Sequence, residues 1–132
     1  MMVANARPEA AIPVSDPNAA LSYYVDTVGL QLLERWDLPQ RPMARLSAGN
    51  GTLALYESVG AGESRHTLMG FAVDDIETAV EDLRGRGVTF EEYDMGELKT
   101  ENGIARVAGI GGAWFKDPDG NIVGVVEYGT ST

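Results

Sequence analysis

The chain has 132 residues, 44% of them hydrophobic, so it can form one compact domain that buries roughly two-thirds of the surface of its unfolded chain. Its net charge of −10 would repel phosphate backbones and anionic membrane surfaces, which argues against nucleic-acid and membrane partners. The longest apolar run, residues 68–73, is too short to span a bilayer, and the lack of cysteine excludes disulfides and thiolate chemistry. No basic segment followed by an apolar run opens the chain, so we expect a cytoplasmic location.

The first half of the chain begins with a strand-like run at residues 10–14. Asp16 is a favoured N-cap and Pro17 a favoured first helical residue, and apolar side chains then recur at helical spacing as far as Val28. This pattern predicts a helix over about residues 17–27. Three further strand-like runs follow, at residues 31–37, 43–47 and 52–56.

The second half repeats this order. Val14 and Asp16 match Val73 and Asp75 at one constant offset, which suggests a duplicated unit. Helical spacing after the second cap predicts a helix over about residues 76–86. Strand-like runs lie at residues 67–73, 88–93, 113–116 and 122–127.

The order βαβββ therefore occurs twice, which predicts an α+β fold in which the whole chain is a single domain. Module one covers about residues 8–57, a glycine-rich linker about 58–65, and module two about 66–128. The long connection at residues 94–112 is either a flap beside a pocket or a disordered excursion.

Three short motifs carry a resemblance to a known family. The sequence AWFKDPDGN at residues 113–121 resembles the last hairpin of vicinal-oxygen-chelate proteins, the superfamily of glyoxalases, bleomycin-resistance proteins and dioxygenases. Residues 14–16 and 28–30 resemble the family's first-helix signature, and residues 71–75 its entry to the second half. The resemblance covers about residues 9–128 and implies the glyoxalase/bleomycin-resistance half-barrel fold and a homodimer.

The resemblance also implies where a divalent metal would be held in this family. The four ligand positions fall on Glu9, Ala54, Leu68 and Gly124, and of these only Glu9 has a side chain that can coordinate a metal. We therefore expect no metal or other cofactor. The alternative is a rearranged divalent-metal site that uses Glu9 and His66.

The alternation of side chains along strands predicts a concave, largely apolar face that takes a small-molecule ligand. The last hairpin pairs Trp114 with Gly124, which leaves room there for an indole or a flat ligand, and the same alternation points Glu127 away from the pocket. The alternative to ligand binding is that Trp114 is a core residue and that Tyr56 and Lys116 are solvated. The candidate ligand-binding residues are Tyr56, Leu68, Gly70, Trp114, Lys116 and Gly124.

Three functions remain open at this point. The first is metal-independent binding of a small apolar or aromatic molecule, such as sequestration of a drug or metabolite. The second is a lyase, isomerase or dioxygenase-type enzyme that uses a rearranged metal site, or Glu9 as a general base whose pKa an apolar cavity raises. The third is a structural or partner-binding module. The sequence does not decide whether the protein is an enzyme.

Overall fold

The structure is a computed structural model that describes residues 2–37, 43–96 and 98–129. The chain divides into two compact units, Met1–Ala61 and Gly62–Thr132, with the boundary in the glycine-rich stretch between the two halves. Within the described residues, neither helix has the length and apolar character needed to cross a membrane.

The first unit is one four-stranded sheet with a helix. Asp16 caps the helix, because its Oδ1 accepts hydrogen bonds from the backbone N–H groups of Asn18 at 3.0 Å and Ala19 at 3.3 Å. The strand order is β1-β4-β3-β2, with β1 parallel to β4 and the other neighbours antiparallel. The elements are β1 (Ala10–Val14), α1 (Pro17–Ser22), a π-helical turn (Tyr23–Thr27), β2 (Gln31–Trp36), β3 (Met43–Ala48) and β4 (Gly51–Glu57).

The predicted order of this unit is confirmed. The helix expected over residues 17–27 has that extent, although its second part is a π-helical turn, and each strand boundary lies within one residue of its prediction. Ile12, Val14 and Tyr24 are fully buried and form its core.

The second unit has a six-stranded sheet in the order β5-β10-β9-β8-β7-β6, with β5 parallel to β10. Asp75 caps the helix through Thr78, and the Ile76 N–H donates to Oε1 of Glu127 at 3.0 Å. The elements are β5 (Thr67–Ala72), α2 (Ile76–Gly85), β6 (Asp94–Met95), β7 (Leu98–Glu101), β8 (Ile104–Val107), β9 (Ile110–Lys116) and β10 (Ile122–Glu127).

The α+β class is confirmed, but the strand expected at residues 88–93 is wrong. This segment makes a single bridge, between Phe90 and Phe115, whose rings meet edge to face at 5.6 Å. The Glu91 N–H also donates to the Trp114 carbonyl at 2.8 Å. The apolar run therefore reflects ring burial against β9 rather than a continuous ladder.

The connection at residues 94–112 is not a disordered excursion. Its described residues form an antiparallel meander from β6 into β9, whereas Glu97 lies outside the described residues. Gly96, Gly103 and Gly109 have positive φ angles of 66°, 81° and 81°, and the latter two sit in the turns between strands. Glycines that suggested a loop are therefore tight turns between short strands.

The turn between β9 and β10 is held by buried polar side chains. Oδ1 of Asp117 accepts hydrogen bonds from the backbone N–H groups of Asp119 at 3.0 Å and Asn121 at 2.9 Å. Oδ1 of Asn121, which is fully buried, accepts the N–H of Gly62 at 3.0 Å. The start of the second unit is thereby fastened to its last hairpin.

This close approach predicts that Gly62→Ala destabilises the protein by about 2–4 kcal/mol. Gly62 has a φ of +79°, and a β-carbon placed on it would lie 2.0 Å from the carbonyl oxygen of Asp119. The matched control is Gly85→Ala at the end of α2, where no atom lies within 4 Å of the added carbon. Urea denaturation followed by circular dichroism checks this, and equal midpoints for the two variants would contradict it.

Candidate functional site

In the first unit, the expected metal ligand Glu9 is held by a guanidinium group. Its Oε2 accepts hydrogen bonds from Arg45 Nε at 2.9 Å and Nη2 at 2.8 Å, and from the Thr52 hydroxyl at 2.8 Å. Arg45 is also paired with Glu34. One arginine thus bridges two carboxylates, and the Glu9 carboxylate already has three donors.

The protonation behaviour of Glu9 follows from these contacts. The hydrogen bond from Arg45, and next that from Thr52, lowers the pKa of Glu9 below its ordinary value of 4.5. The pKa of Arg45 is raised by the same hydrogen bond and by that to Glu34. The expectation that an apolar cavity raises the pKa of Glu9 is therefore wrong, and a carboxylate so stabilised is a weaker general base.

This lowered pKa predicts how stability depends on pH. The Glu9 carboxylate contributes stability that is fully present above pH 4.5, its ordinary pKa, and is lost as the pH falls through the lowered value. Glu9→Gln should cost on the order of 1 kcal/mol at neutral pH, and the difference from the wild type should shrink in acid. Urea denaturation between pH 7 and pH 3 measures it, with the exposed Glu57→Gln as control. A difference that is constant over this range would contradict the assignment.

In the second unit, the side chain of Trp114 lies across two glycines. Trp114 pairs with Gly124 in the antiparallel ladder of β9 and β10, as predicted. A β-carbon placed on Gly124 would lie 3.6 Å from both Cδ1 and Nε1 of Trp114, and one placed on Gly112 would lie 2.9 Å from its Cη2. The indole therefore lies in ordinary van der Waals contact with the position that a β-carbon would take at Gly124, the expected fourth metal-ligand position.

An irregularity in β5 changes which side chain stands beside Gly124. The register between β10 and β5 passes from Ile122 opposite Thr67 to Val123 opposite Met69, and so skips Leu68. Cγ2 of Thr67 lies 3.3 Å from a β-carbon placed on Gly124. Thr67 thus takes the place that strand alternation alone gave to Leu68.

A cleft of about 780 Å³ opens beside Trp114, and we call it the Trp114 cleft. Its aromatic wall is Trp114 with Tyr93, whose rings meet at 63° with centroids 5.7 Å apart. Its polar rim includes Lys116, paired with Glu91 at 3.4 Å. Residues 62–67, Met95, Leu98, Gly120 and Ile122 complete the lining.

Only some of the predicted ligand-binding residues line the Trp114 cleft. Trp114 and Lys116 line the cleft, and so does His66, the weak metal candidate. Leu68, Gly70 and Gly124 are absent from its described lining.

Two predicted side chains lie elsewhere, and several lining residues were missed. Tyr56 belongs to the first unit, where it stands on β4 opposite Pro13 and is 37% exposed. Glu127 bonds the N-terminus of α2, so the prediction that it points away from the pocket is confirmed. Arg65 and Thr67 are among the missed lining residues, and the bulge in β5 explains why strand alternation did not point to Thr67.

The donor set does not fit the metal site that the family resemblance implies. Over residues 2–37, 43–96 and 98–129, no group of three or more His, Cys, Asp or Glu side chains could hold a metal ion. Glu9 is engaged by Arg45, and the other three expected positions carry a methyl group, an isobutyl group and a hydrogen. We therefore derive no chemical step through a metal.

The packing of the indole predicts the effect of Gly112→Ala. The added carbon would push Trp114 from its place, which should destabilise the protein by about 1–3 kcal/mol and shift the Trp114 emission. Trp36→Phe is used as background, so that Trp114 is the only one of the two tryptophans left. Gly70→Ala is the control, because its nearest contact would be an ordinary 3.8 Å. Unchanged emission and stability in Gly112→Ala would contradict this packing.

The fold and the site define a class of protein. The sequence profile of the Glyoxalase/Bleomycin resistance protein/Dioxygenase superfamily matches residues 7–125. The chain belongs to this superfamily. No curated protein matches the chain.

Solved structures show the same fold at low sequence identity. TnmS3, an antibiotic-binding protein from Streptomyces sp. CB03234, is 23% identical, with a TM-score of 0.68 over 96% of this chain and 98% of that one. A glyoxalase/bleomycin resistance protein from the same organism is 24% identical, with a TM-score of 0.67 over 91% and 98%. A glyoxalase family protein from Enterococcus faecalis is 21% identical, with a TM-score of 0.72 over 96% and 100%.

Proposed function

We propose that this protein binds a small, flat aromatic or apolar molecule in the Trp114 cleft, without a metal, and thereby sequesters it. The observation that carries the proposal is the indole of Trp114, which lies across Gly112 and Gly124, borders the cleft and meets Tyr93 edge to face. An aromatic wall held in this way is suited to stacking against a flat ligand.

The dimensions of the cleft suit such a ligand. Its volume of about 780 Å³ lies within the roughly 300–1,000 Å³ that is usual for small-molecule sites. An aromatic pair contributes only about 0.5–1.5 kcal/mol beyond the area that it buries. Micromolar binding needs about 8 kcal/mol, so the apolar lining supplied by Met95, Leu98 and Ile122 must contribute as well.

Two further observations support binding over catalysis. One structural neighbour, TnmS3, is described as an antibiotic-binding protein. The carboxylate expected to act as a base, Glu9, is held by Arg45 and has a lowered pKa. The form of the enzyme alternative that uses Glu9 as its general base is thereby weakened.

We also propose that the protein acts as a homodimer in the cytoplasm. Leu32 and Leu33 support the dimer, because they are 46% and 47% exposed on β2, an edge strand of the first sheet. Exposed apolar side chains on a sheet edge are suited to a protein interface.

A ligand panel tests the proposed function. Flat compounds that are anionic, neutral or cationic are titrated into the protein by calorimetry in the presence of EDTA. We expect at least one to bind with a Kd at or below about 100 μM, and Trp114→Leu to weaken it by about tenfold or more, since the stacking surface is lost. Trp36→Leu is the matched control, and Trp114→Phe should keep part of the affinity.

Two results would overturn the proposal. In one, no compound of the panel binds. In the other, binding occurs only after a divalent metal is added and EDTA is left out.

A further inference from the structure

The Trp114 cleft combines its aromatic wall with an adjacent row of hydrogen-bond donors. In the sheet of the second unit, Ile122 of β10 is opposite Thr67 of β5 on one side and Lys116 of β9 on the other. The next row on the same face of the sheet, toward the end of β10, pairs Gly124 with Trp114. Thr67 and Lys116, which carry a hydroxyl and an ammonium group, therefore lie about two residues along the strands, or roughly 7 Å, from the row that contains Trp114.

Residues next to this row add further donors. Arg65 and His66 precede Thr67 and line the same cleft. Within the part of the chain that the structure describes, neither side chain is in an ion pair. The lining of the cleft where β5 begins thus includes an arginine, a histidine and a threonine in succession.

Acidic side chains are few here compared with the whole protein. The chain has 20 Asp and Glu against 10 Lys and Arg, whereas the lining contributed by the described residues has two glutamates, Glu63 and Glu91, and two cations, Arg65 and Lys116. The only histidine of the chain, His66, also lies in this lining. Glu91 is already paired with Lys116. The twofold acidic excess of the chain is therefore absent from the described lining of the cleft, which favours an anionic group more than the rest of the surface does.

We infer that the Trp114 cleft selects a flat aromatic molecule that carries an acidic group, such as a carboxylate or sulfonate, about 6–7 Å from the stacked ring. The inference rests on the proposed function and names the class of its ligand. The ring stacks on Trp114, and the acidic group accepts hydrogen bonds from Lys116 and Thr67, with Arg65 beside them. When the ligand binds, Lys116 gives up part of its contact with Glu91 and contacts the acidic group of the ligand instead.

Three compounds of one shape and different charge test this inference. The compounds 2-naphthoate, 2-naphthamide and 2-naphthylmethylamine are titrated by calorimetry at pH 7.5 in low salt. We expect 2-naphthoate to bind about tenfold or more tightly than the amide, and the amine to bind most weakly. Because exposed charges are screened, the preference should shrink in 0.5 M NaCl.

Charge variants locate the effect. Arg65→Gln and Lys116→Gln should each reduce the preference for 2-naphthoate over the amide about threefold or more. Glu91→Gln should strengthen 2-naphthoate binding, since it removes the carboxylate that competes for Lys116. Lys99→Gln is the control. It makes the same change in net charge, and Lys99 lines a separate groove beside α2.

The outcomes separate this inference from the proposed function. If all three compounds bind equally and Trp114→Leu abolishes binding, acid selection is overturned and the proposed function stands. A preference for the amine, or a preference for 2-naphthoate that Arg65→Gln and Lys116→Gln leave intact, also overturns the inference. If none of the three compounds and no other flat aromatic binds, both fail.

Discussion

The packing of one indole on two glycines determines the character of the site in the second unit. Gly112 and Gly124 leave a slot in the sheet, and Trp114 fills it so closely that a single added carbon at Gly112 would come within 2.9 Å of the ring. A larger residue at Gly124 would compete with the indole for the same space. The fourth ligand position that the family resemblance implies thus lies beside an aromatic wall, which supports the proposal of a ligand held by stacking.

In the first unit, an arginine holds the one carboxylate among the expected ligand positions. Glu9 is the one expected ligand position that keeps a carboxylate, and that carboxylate has three donors from Arg45 and Thr52. A guanidinium is always charged and matches carboxylate geometry, so the network holds Glu9 ionised without any bound ion. The lowered pKa and the engaged lone pairs have the same cause, and both disfavour a catalytic base.

Local signals in the sequence predicted much of this fold, and longer-range ones were missed. The caps at Asp16 and Asp75 and the helical spacing after them gave the helices, and the turn between β9 and β10 set the pairing of Trp114 with Gly124. The alternation of side chains in β5 gives no sign of the bulge that puts Thr67, instead of Leu68, beside Gly124. The partner of Glu9 lies two strands away in the sheet, so its pKa depends on a register that spacing alone does not specify.

Metal content is the most direct measure of whether this site works by stacking instead of coordination. The purified, untagged protein is incubated in turn with Zn²⁺, Ni²⁺, Co²⁺, Mn²⁺ and Fe²⁺, desalted, and its metal counted per chain by mass spectrometry. Because Glu9 is engaged by Arg45 and the position at Gly124 has no side chain, we expect occupancy near zero for every ion. About one tightly held ion per chain would contradict it.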